Sequence, residues 1–92
     1  IKPPATMEEA WAKSDRLSQE SIRLEKEGLR LEEEGDRLGP EGLRLREDGI
    51  LLWVKSGQLK AESQQVVKEA ARVLYGPNAR VNWKTRQVEQ VP

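Results

Sequence analysis

From Met7 to Val73 the chain carries two interleaved rows in one unbroken heptad register. Every seventh residue is small or nearly so: Met7, Ser14, Ser21, Gly28, Gly35, Gly42, Gly49, Ser56, Ser63 and Ala70. Three residues after each comes an apolar one: Ala10, Leu17, Leu24, Leu31, Leu38, Leu45, Leu52, Leu59, Val66 and Val73. A three-four spacing is the seam of a left-handed coiled coil, and a row that is almost bare backbone lets helices press very close together. Six glycines (28, 35, 39, 42, 49, 57) fall inside this pattern, and each interior one costs about 1 kcal/mol relative to alanine. Tight contact along the seam must offset that cost.

The helical pattern has marked ends. Thr6 followed by Glu9 has the spacing of a capping box, which predicts a helix start there. Gly76-Pro77 supplies a C-terminal stop after Tyr75. Pro3-Pro4 makes residues 1–5 an extended leader, so the expected organisation is leader 1–5, helical domain 6–75 and extended tail 76–92. The interior Gly39-Pro40 must be a turn or a kink, because proline inside a helix loses a hydrogen bond and clashes with the carbonyl four residues earlier. A fold-back about Pro40 pairs residues whose numbers sum to about 80, which would set Gly35 against Leu45, Gly42 against Leu38 and Gly28 against Leu52. The expected fold is therefore all-α: a long antiparallel helical hairpin with its turn at Gly39-Pro40, a small/Leu seam and a short extended C-terminal strand. The alternative is one long kinked helix in a coiled coil, about 100 Å from end to end. A period-two reading, suggested by Ile22/Leu24, Leu29/Leu31 and Leu43/Leu45, fails because the surrounding Leu, Glu, Arg and Lys favour helix.

Composition excludes more chemistry than it offers. There is no cysteine and no histidine, so thiolate chemistry, disulfides and the commonest general base and metal ligand are missing. Sixteen acids balance sixteen bases, but residues 51–92 hold seven bases against three acids. The longest apolar run, Ile50 to Val54, is too short to span a bilayer, and the N-terminus has no signal-peptide pattern, so a cytoplasmic location is expected. Arg16, Glu20, Arg23, Glu27, Arg30, Glu34, Arg37, Glu41, Arg44 and Asp48 alternate in sign at helical spacing and read as a solvated ladder of ion pairs. The serines of the small row are explained by their size, and the glycines match no phosphate-binding loop. No enzyme and no cofactor is expected.

What remains is surface. The seam residues Gly28, Leu31, Gly35, Leu38, Gly42, Leu45, Gly49 and Leu52 are the expected oligomer contact. Ile22, Leu29, Leu43 and Ile50 lie one position after the small row, and Trp11, Trp53, Val67 and Leu74 lie four after it. Together they widen the apolar face to roughly 150°, more than two helices can cover. Leu51 and Val54 interrupt the charge ladder, and the tail is expected to dock on them, with Val81, Trp83 and Thr85 alternating against Asn82, Lys84 and Arg86 as one strand. Trp53, Val81, Trp83, Lys84 and Arg86 are the expected partner-binding residues.

The heptads at Glu27-Gly28-Leu29-Arg30-Leu31, Glu34-Gly35-Asp36-Arg37-Leu38 and Glu41-Gly42-Leu43-Arg44-Leu45, followed by Tyr75-Gly76-Pro77-Asn78 and a Trp-bearing segment at Val81 to Lys84, resemble a class of small phage and prophage proteins. Those proteins carry Glu-Gly-x-(Lys/Arg)-Leu repeats and a Tyr-Gly-Asn and Trp tail; the likeness covers about residues 20 to 84 and departs at Gly39-Pro40. The resemblance implies a viral accessory protein in the cytoplasm of a bacterial host and transfers no functional residue. The expected function is a non-enzymatic homo-oligomeric coiled-coil scaffold or protein-interaction module. An inhibitor covering a host protein's surface is the second reading. Nucleic-acid binding through the basic tail is the third, and the weak Trp-plus-bases signal disfavours it.

Overall fold

The structure, a computed structural model, describes residues 6–90. The expected leader, residues 1–5, and the last two residues of the tail lie outside the described residues. Helix accounts for 81% of what is described, in a single run of 69 residues. The run is composed of α1 (Met7–Leu38), a 3-10 stretch (Gly39–Gly42) and α2 (Leu43–Tyr75), and it is followed by β1 (Ala79–Asn82) and β2 (Gln87–Gln90). No helix among the described residues is long and apolar enough to cross a membrane.

The expected fold class is corrected on one count. The chain is not the expected hairpin of two separate helices joined by a turn at Gly39-Pro40, since the helix continues without a gap from Met7 to Tyr75. The all-α part of the expectation fits, and β1 and β2 add a short two-stranded antiparallel sheet. The physical reason for the correction lies at Gly39-Pro40. Gly39 takes the left-handed region at φ +68°, which only glycine enters without penalty. Pro40 occupies the opening of the 3-10 stretch, where its missing N–H costs nothing. The Leu43 N–H donates to the Pro40 carbonyl, so hydrogen bonding is carried through the change of direction.

Two compact units make up the described residues: Leu17–Ala61, and residues 6–16 with 62–90. Within Leu17–Ala61 the helical run lies antiparallel against itself, and the small row is the contact. The buried Ser21 hydroxyl donates to the Ser56 carbonyl at 2.9 Å and lies 3.2 Å from the Ser56 hydroxyl. A straight helix would hold these residues about 50 Å apart. A Cβ added to Gly28 would sit 2.7 Å from the Gly49 carbonyl oxygen, one on Gly49 2.5 Å from the Gly28 carbonyl oxygen, and one on Gly35 2.6 Å from the Gly42 carbonyl oxygen. At Gly42 it would run into the Gly35 carbonyl. The partners Ser21/Ser56, Gly28/Gly49 and Gly35/Gly42 have numbers that sum to 77 in each case, three fewer than expected. Small therefore faces small and backbone meets backbone, with Leu31, Leu45, Leu52 and Leu59 half-buried along the side of the seam.

In the second unit Ala10, Ser14, Ser63, Val67, Ala70 and Ala71 are buried. The helix start is capped as the sequence predicts, the Glu9 N–H donating to the Thr6 hydroxyl at 3.1 Å. Helix α2 ends at Gly76, whose φ of +104° and bond to the Arg72 carbonyl make the expected stop. The tail corrects another expectation. In place of one strand over 81–86, β1 stops at Asn82, whose side-chain oxygen accepts from the Lys84 and Thr85 N–H groups. Arg86, at φ +59°, completes the turn and its N–H donates to the Asn82 carbonyl at 2.8 Å. Strand β2 then returns with Val88 opposite Val81.

Candidate functional site

Two surfaces carry the side chains that the sequence singles out. The first is in Leu17–Ala61. On a helix the residue one after a seam position lies 100° round, and the residue four after it lies 40° round in the same sense. Because the run is antiparallel to itself there, both sets fall on one side of the contact. Ile22 and Leu29 from α1 and Leu43, Ile50 and Trp53 from α2 thus share a face, each of them more than half exposed. Arg46 and Asp36 add a 3.4 Å ion pair to that face near the 3-10 stretch, where the buried Arg46 Nε has no hydrogen-bond partner. Leu51 and Val54, 66% and 54% exposed, are not covered as expected.

The seam residues expected to join copies are used within the chain. Gly28, Gly35, Gly42 and Gly49 are buried against one another, Leu31, Leu45 and Leu52 are half-buried beside them, and Leu38 is exposed next to the 3-10 stretch. The expected charge ladder is paired from Glu20 to Glu34. Arg23 pairs with Glu20 at 2.5 Å, and Arg30 bridges Glu27 at 2.6 Å and Glu34 at 3.3 Å. Hydrogen bonds from Arg23 and Arg30 hold the Glu20 and Glu27 carboxyls below their ordinary range. These side chains are solvated, so the pairs contribute little.

The second surface is the ribbon of β1 and β2 on the helical residues of its own unit. Trp83 meets Trp11 edge to face, ring centres 5.5 Å apart at 84°. The Arg86 guanidinium lies 4.7 Å from the centre of the Trp11 ring and reaches Asp15 with two bonds of 2.6 and 3.0 Å. That bidentate contact lowers the Asp15 pKa and raises that of Arg86. Gln90 ties the far end of the ribbon to the Tyr75 carbonyl at 2.9 Å. Trp11 and Asp15 belong to this site and were not among the expected partner-binding residues. Their spacing of four on α1, one helical turn, is the signal that could have found them. Val81, Trp83 and Arg86 come together here, whereas Trp53 belongs to the first surface; the expected set of binding residues is split in two.

Among the described residues no group of three or more side chains could hold a metal ion. The chain matches no protein-family model, no curated protein and no solved structure.

Proposed function

We propose that the chain is a non-catalytic protein-binding module that lays the face of Ile22, Leu29, Leu43, Ile50 and Trp53 on the surface of another protein. Taken with the heptad resemblance, the reading is a phage-encoded inhibitor that covers a host protein. A single observation carries it: the glycine seam is saturated within one chain, yet five large apolar side chains beside it stay more than half exposed. Apolar patches of this kind mark interaction surfaces in folded proteins. Trp53 is the natural anchor, since tryptophan is enriched among the residues that dominate binding energy.

The test is a pull-down from lysate of a bacterial host, run with the native chain and with an Ile50→Ser, Trp53→Ser variant, beside the solution mass of the bait. A stoichiometric protein captured by a monomeric bait and lost with the variant, at unchanged melting temperature, supports the reading. A bait that is dimeric, captures nothing and becomes monomeric on substitution would return the face to self-association.

A further inference from the structure

The ribbon has a second side. Between α2 and β1 lies an open hollow of about 330 Å³, lined by Lys68, Arg72, Pro77, Arg80, Val81 and Trp83. A neighbouring hollow of about 460 Å³ is lined by Arg80, Val81, Asn82, Trp83, Lys84 and Glu89. Arg80, Val81 and Trp83 belong to both, so they form a ridge with a hollow on either side. Trp83 is 43% exposed although it also packs on Trp11. Four cations, Lys68, Arg72, Arg80 and Lys84, line the two hollows, against one carboxylate, Glu89.

We propose that this ridge is a binding track for single-stranded nucleic acid, with a base stacked on Trp83 and the flanking phosphates held by Lys68, Arg72, Arg80 and Lys84. Two features favour this ligand over an acidic peptide. A polyanion of either kind suits the charge, but only a nucleic acid also uses an aromatic surface between two basic hollows, since every base has a π face to stack. The hollows are open and shallow, which suits a strand passing through rather than a small molecule enclosed. The sequence alone gave a weak signal because it brought only the tail's bases to Trp83. The fold adds Lys68 and Arg72 from α2, and removes Arg86, which is committed to Asp15.

The test uses the full chain and a fluorescein-labelled oligothymidylate in anisotropy titrations across salt. Four phosphate contacts on a single strand give a slope near −0.7 each in log K against log salt, so affinity should fall on the order of 50-fold between about 50 and 200 mM. Lys68→Glu with Arg72→Glu, both on the exposed surface of α2, should abolish binding at unchanged melting temperature. Trp83→Phe should weaken it less than Trp83→Ala. Absence of binding at about 0.1 mM protein in low salt, or equal binding by the charge-reversed variant, overturns the proposal. Tighter binding of a polyglutamate peptide than of the oligonucleotide overturns it in favour of an acidic protein segment. This track and the apolar face of Leu17–Ala61 share no residue, so either can fail alone.

Discussion

Trp11 and Trp53 occupy the same heptad position, four residues after a seam residue, and their surroundings differ completely. In the unit of residues 6–16 and 62–90 the ribbon supplies Trp83 and Arg86 to Trp11, and Val67 and Ala71 are buried. In Leu17–Ala61 the corresponding positions, Trp53 and Ile50, are open to solvent. Both units bury the small row from Ser14 to Ala70. The seam is thus sufficient to close the helical contact, and it leaves the side face unprovided for. One unit covers that face with its own chain and the other does not, which is why the uncovered one is the stronger candidate for a partner.

The comparison can be broken most severely at the seam. Gly42→Ala puts a methyl group into the Gly35 backbone. It should destabilise by about 2 to 3 kcal/mol, the overpacking exceeding the propensity gain of about 1 kcal/mol. Chemical denaturation measures it, and net stabilisation would mean the two backbones do not touch. Next in size is the ribbon. Trp83→Ala removes a side chain a little over half buried and should cost about 2 kcal/mol, with little change in far-ultraviolet helical signal. An unchanged melting temperature would remove the contrast between the units.

Gly57 sharpens the argument from the opposite direction. It lies in α2 outside the small row, and an added Cβ would meet nothing within 4 Å. Gly57→Ala should therefore stabilise by up to about 1 kcal/mol, and a loss would show that the residue has an unseen packing role. The smallest effect is electrostatic. The folded-state pKa of Asp15 is lowered, first by its hydrogen bonds from Arg86. The pair's contribution is therefore present above the unfolded pKa and lost as pH falls through the folded one. Tryptophan fluorescence should report looser ribbon docking under acid, and the acid dependence should shrink in Asp15→Asn. Identical acid profiles for the two chains would exclude the pair as the cause.

Periodicity made the helical run legible, and local chemistry marked its ends: Thr6 caps it and Gly76 stops it. The register across the seam was not legible. Symmetry about Pro40 and the idea that leucines fill glycine holes both pointed to a sum near 80. The actual register follows from how the chain passes through Gly39 at positive φ and a 3-10 stretch, and that path leaves no mark on the heptads. The strand pair was hidden for a different reason. Residues 81–86 alternate cleanly, so period two carried through a segment that Asn82 turns by accepting two backbone N–H groups. Of the binding residues, Trp53 and Trp83 could be proposed from their type alone. Their separation into two surfaces, and the part played by Trp11, Asp15, Lys68 and Arg72, depend on where the ribbon lands.

The central claim is that one chain closes its own small-residue seam, and a cysteine pair tests it most directly. Ser21 and Ser56 are buried with their hydroxyl oxygens 3.2 Å apart, and cysteine is close to serine in size. In a Ser21→Cys, Ser56→Cys variant, mild oxidation at low protein concentration should consume both thiols and form an intramolecular disulfide. The product should run as a single chain on a non-reducing gel and melt above its reduced form. Thiols that stay free, or that oxidise only into covalent dimers, would contradict the account and place the two residues on helices of different molecules.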